Sequence, residues 1–186
     1  DYFKGDERNS FAGMQGAFMG IGGMLFVALA GILADVSWHA PFLIYLFSVP
    51  VAILGIIYLY EPEVVTEKKV VSPSSFDYDR KRIVIIYFLA FLGIVFFYMV
   101  PVQIPFLIGG LEDVTNAHIG YAISLSMIPG SLVAMSYKRL KRIFSFRQIF
   151  QLALFMMAMG YMIISQSTGY ISIVMGLLVG GIGTGL

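Results

Sequence analysis

Six apolar stretches divide this chain, and none of them contains an Asp, Glu, Lys or Arg. They cover residues 12–34, 40–60, 83–108, 117–137, 148–165 and 170–186. A helix needs roughly 20 apolar residues to cross the hydrocarbon of a bilayer. These runs have that length, and they lack the period-two alternation of half-buried strands. With no water at that depth, each backbone N–H and C=O must find its partner within its own segment, which selects helices. The expected fold class is therefore all-α, a polytopic transmembrane helical bundle with six spans.

The charges lie where that reading requires. Only 12% of residues are charged, about half the share in soluble domains. All twelve Lys and Arg fall in three alternate connections. The first holds Lys4 and Arg8. The second holds Lys68, Lys69, Arg80, Lys81 and Arg82, and the third Lys138, Arg139, Lys141, Arg142 and Arg147. The connections near residues 35–39, 109–116 and 166–169 hold none. Basic loops alternating with base-free loops are the positive-inside pattern, so the three basic stretches are expected in the cytoplasm. Trp38, Tyr58, Tyr60, Tyr137 and Tyr170 sit at segment ends, as in an interfacial aromatic belt.

The connections are unequal. Residues 35–39 make one tight turn, whereas residues 61–82 are long, polar and charged, with a Ser72-Pro73-Ser74-Ser75 core. A boundary between two bundles is expected there. Residues 1–60 would give two helices of one bundle, 61–82 a cytoplasmic linker, and 83–186 four helices of the other. The chain starts at Asp1 and stops at Leu186 inside a glycine-rich apolar run, and is expected to be an excerpt of a longer protein.

Two glycine patterns stand out. Gly13, Gly16, Gly20, Gly23 and Gly31 share one helical face, and Gly176 and Gly180 repeat the small-xxx-small spacing. Such faces let a neighbouring helix approach closely, either as static packing or as a surface on which helices slide. Pro101, Pro105 and Pro129 remove backbone donors within segments and are expected to bend or break them. Kinks at membrane depth tend to line cavities. The polar residues beside them are the candidate substrate cavity: Tyr98 and Gln103 in the third segment, Tyr121, Ser124 and Ser131 in the fourth. Each has a plainer alternative, a hydrogen bond between helices. Tyr98 and Gln103 point about 140° apart on a straight helix, so both face one cavity only if a kink rotates them.

Several chemistries are excluded. There is no cysteine, hence no thiolate or disulfide. No GxxxxGK[ST] phosphate loop, GxSxG elbow or TVGYG-like filter occurs. His39 and His118 do not make a metal set. No catalytic residue, cofactor or metal is expected, and the basic loops, pinned between spans, suit anionic lipid rather than nucleic acid.

The glycine-rich helix, the turn Trp38-His39-Ala40-Pro41-Phe42, the helix ending in Glu61-Pro62 and the long basic linker together resemble the middle of a major facilitator superfamily transporter. They most resemble the bacterial efflux-type members, the drug/proton antiporters and arabinose-efflux-like permeases. The resemblance implies that the segments are helices five to ten of twelve, in a bacterial inner membrane, and that the chain exports a small solute by alternating access. A coupling proton would be handled by residues outside this chain. A passive facilitator or channel, and a non-transporting scaffold or sensor, remain the alternatives. Phe26-Val27 and Ala30-Gly31 stand where the antiporter signature of the fifth helix has Gly-Pro and Gly-Gly, and His39 replaces the Arg of the turn. Gly130 through Arg142 keeps the glycine and basic cluster of a G-x-x-x-D-R-x-G-R-R-like loop but lacks its acid.

Overall fold

The computed structural model describes residues 6–59 and 80–186. Most of the linker, Lys68 and Lys69 included, lies outside the described residues. Those residues form helices and connections, with no strand among them. Helix α1 covers Asp6–Val36. A 3₁₀ segment, Ala40–Phe47, leads into α2, Ser48–Tyr58. Next come α3 (Arg80–Gly109), α4 (Asn116–Met135), α5 (Tyr137–Ile143), α6 (Phe146–Ser165) and α7 (Tyr170–Thr184). Five stretches are long and apolar enough to cross a membrane, and Tyr170–Thr184 is a shorter apolar helix.

Local chemistry accounts for most boundaries. The turn after α1 is closed by the Ser37 hydroxyl, which accepts from the backbone N–H groups of His39 and Ala40. Helix α6 starts at a reciprocal cap. Ser145 Oγ accepts from the N–H of Gln148, whose side-chain oxygen takes the N–H of Ser145 at 2.9 Å. Two boundaries differ from the sequence reading. The second segment begins as 3₁₀ rather than α-helix. The charged 138–142 stretch, read as a loop, forms α5, set off from α4 at Ser136. The third segment stays helical through Pro101 and Pro105, and the fourth through Pro129, so the expected breaks do not interrupt them.

Packing sets the directions. Gly13 of α1 faces Ala134 of α4, and Gly31 faces Gly120, so the two helices are antiparallel. Gly181 of α7 meets the Ser126 carbonyl of α4, and the Tyr170 hydroxyl donates to the His118 carbonyl at 2.9 Å, so α7 runs with α4. Helix α6 runs against α7, with Gly160 beside Gly176 and Gly180. Ile104 and Ile108 of α3 join Ala122 and Ile123 of α4 and Ile173 and Leu177 of α7 in the main buried cluster. These directions bring Arg80, Lys81 and the α5 cations to one end of the bundle, and Asp35, Glu112 and Asp113 to the other. The wide apolar faces of α2 and α3 are exposed, as a hydrocarbon solvent permits.

Candidate functional site: a glycine seam and an apolar void

The seam between α1 and α4 is built from absent side chains. A Cβ added at Gly13 would lie 2.6 Å from the Ala134 carbonyl oxygen, and one at Gly31 would lie 2.8 Å from Gly120 Cα. Between these ends, Gly20 sits against the Ser131 hydroxyl, and Gly23 against the Met127 sulfur. Gly16 is looser, 3.5 Å from Ala134 Cβ. All five glycines of the stripe thus look at α4. The second glycine pattern has the same use: Gly176 and Gly180 of α7 face Gly160 of α6, where a Cβ at Gly160 would stand 2.6 Å from Gly180 Cα.

Between them, α1, α3, α4, α6 and α7 line a partly open void of about 300 Å³. Its wall is mainly Val27, Phe97, Ile123, Met127, Ile164 and Leu177, with hydroxyls only from Ser126, Tyr161 and Thr184. The Ser126 and Thr184 hydroxyls donate to carbonyls of their own helices, Ile123 at 2.6 Å and Gly181 at 2.9 Å. The Tyr161 hydroxyl crosses from α6 to α3 and donates to the Phe96 carbonyl, one turn before Pro101. A second void of about 580 Å³ adjoins the first and shares Phe97, Met127 and Thr184 with it. It is lined by Gly13, Gly16, Ala134 and Tyr137, which places it toward the basic end. No charged side chain lines either void.

At the end opposite the basic residues α1 and α4 are again in close contact. Gly31 and Gly120 are in backbone contact there. Beyond them the Asp35 carboxylate of α1 accepts from the first two N–H groups of α4, Asn116 at 2.8 Å and Ala117 at 3.0 Å. Within α4, His118 Nδ1 takes the N–H of Thr115 at 3.2 Å, and the His118 ring stands edge-on to Tyr170.

The residues expected in the cavity separate into two groups. Ser124 and Ser131 are buried and share with Gly120 and Met127 the α4 face turned to α1. Their hydroxyls donate to Tyr121 and Met127 carbonyls of the same helix, at 3.0 and 2.8 Å. Tyr98, Gln103 and Tyr121 are exposed and line neither void. Of the prolines, Pro101 lines the first void, whereas Pro105 and Pro129 line neither. Sequence reading passed over Met157, Gly160, Tyr161 and Ile164, which line the void from α6. Gly160 is the one of these with a legible signal, a lone glycine in an apolar helix.

The profile of the Major Facilitator Superfamily matches residues 1–186. The chain belongs to this superfamily. It is thus a multi-pass membrane protein of the major facilitator type, and its superfamily moves small molecules across membranes rather than transforming them. No curated protein and no solved structure matches it. In this major facilitator the glycine seam joins helices on either side of the charged linker.

Proposed function

We propose that the protein is a secondary active transporter that exports a small, largely apolar and uncharged solute by alternating access. The observation that carries this reading is the α1–α4 seam, which joins segments from the two sides of the linker through backbone-close glycine contacts. A surface without side-chain knobs allows one bundle to rock over the other with little steric cost. The second void beside it lies toward the basic end, which the positive-inside rule assigns to the cytoplasm. The walls of both voids explain the solute class. A charged group in this apolar lining would lose its water with no partner to replace it, whereas an apolar solute meets dispersion contacts and three hydroxyls. The volume of the inner void, about 300 Å³, is at the small end of ligand sites.

In this reading residues 1–60 and 83–186 belong to separate bundles, and residues 61–82 form the cytoplasmic link. Ser124 and Ser131 soften the seam. Tyr98, Gln103 and Tyr121, on exposed faces, are contacts on the solute's path outside the inner void. Replacing Gln103 with Leu is expected to change transport kinetics while leaving protein level unaltered; unchanged kinetics remove it from the path. The decisive experiment is flux in reconstituted vesicles under an imposed proton gradient, with uncharged aromatic solutes as probes. Accumulation beyond equilibrium is expected. Equilibration alone would make the protein a passive facilitator, and no flux would leave a scaffold.

A further inference from the structure

We infer that Asp35 is an outer latch between the bundles: its carboxylate, carried by α1, caps the N-terminus of α4 and holds that end shut while the basic end is accessible. The inference rests on the alternating-access reading above.

Both carboxylate oxygens are engaged on successive N–H groups, Asn116 and Ala117, at 2.8 and 3.0 Å. The first N–H groups of a helix have no partner within it, and they sit at the positive end of its dipole. The residue just before a helix normally serves one of them, on the second or third residue. Here that residue is Thr115, whose side chain pairs with His118 Nδ1 at 3.0 Å and also bonds the Asp35 carboxylate. The two leading N–H groups are served by a residue 81 and 82 positions earlier in the chain. A cap borrowed from another helix breaks whenever the two helices part at that end.

The position suits a latch. One turn below it, Gly31 touches Gly120, where a Cβ would be 2.8 Å from the opposing Cα. Opening this end must separate both contacts together. The second void lies toward the opposite end. The bonds thus belong to the state closed at Asp35, and they favour it over the state open there. A ligand or contact shifts such an equilibrium only by its preference for one state, and this contact is made in one state alone. Asp35 is exposed, so its grip is screened by salt and moderate in strength, which keeps the latch releasable.

The absence of native cysteine from these residues allows a direct test in the intact, membrane-embedded protein. Ser124→Cys reports from the seam on the Asp35 side, and Ser131→Cys from the wall of the basic-end void. Each is labelled with an impermeant maleimide from its own side, without solute or gradient. With Asp35→Ala the outer labelling of position 124 is expected to rise about two- to fivefold, the range of a helix-terminus charge interaction, while inner labelling of position 131 falls. Asp35→Asn, which keeps one acceptor oxygen, is expected to lie between, and its difference from wild type to shrink in high salt. Glu112→Gln removes a negative charge at the same end without touching the α4 terminus and is expected to change neither. A rise at both positions would mean a loosened fold rather than a latch. No change at either, with Asp35→Ala or with Asp35→Asn, would overturn the inference. The labelling requires no identified solute, so its failure is distinct from a failure of uphill flux.

Discussion

Single residues in this protein matter by what they leave out. Gly31→Ala puts a methyl group 2.8 Å from a backbone atom that no rotamer change can move. It is expected to cost about 1–3 kcal/mol, as overpacking does, read as a lower melting midpoint in detergent. Gly22 is the internal control, because a Cβ there meets nothing within 4 Å. Gly22→Ala is expected to be neutral or to gain up to about 1 kcal/mol from helix propensity. Equal effects of the two would contradict the seam. Tyr161→Phe tests a different contact, the bond from α6 to the Phe96 carbonyl. Side-chain hydrogen bonds within membranes average about 0.6 kcal/mol, so stability should fall little. Because the ring also lines the inner void, the change is expected in the solute's apparent affinity.

At the scale of elements, the sequence reading located the helices because hydrocarbon length and the exclusion of charge are local properties. Residues 117–137 became Asn116–Met135, and 148–165 became Phe146–Ser165. The glycine stripe was legible too, because its period is that of one helix. What escaped depended on partners far away in the chain. No local pattern says that Asn116 draws a cap from Asp35, or that Tyr161 reaches Phe96. The prolines misled because a helix in a packed bundle can run through a proline, as it does at Pro101 and Pro105. Helix α5 was hidden by its composition, since Tyr137–Ile143 holds four cations and resembles a polar loop. The cap of α6 yields a prediction at this scale. Ser145→Ala removes the acceptor for the Gln148 N–H and is expected to cost about 1 kcal/mol, seen as earlier thermal unfolding. Ser145→Asp, which keeps a capping oxygen, should restore it.

For the whole molecule, the sorting of charge is the property that everything else requires. The described cations of α3 and α5 gather at one end, and Asp35, Glu112 and Asp113 at the other. Single cysteines at positions 81 and 139 are expected to react with an impermeant reagent from one face of the membrane, and at position 112 from the opposite face. Reaction of 81 and 139 from different faces would dismantle the arrangement, and with it the two-bundle reading.

The 3₁₀ opening of the second span has a consequence for membrane thickness. Each residue in such a coil advances about 2.0 Å, against about 1.5 Å in an α-helix. Over the eight residues Ala40–Phe47 the gain is about 4 Å, enough for a short span to match a hydrocarbon layer of about 30 Å. The stretch from Ala40 to Tyr58, only 19 residues long, is thereby long enough to reach across such a layer. Tightening or relaxing that coil would let the same nineteen residues follow a bilayer that thins or thickens around them.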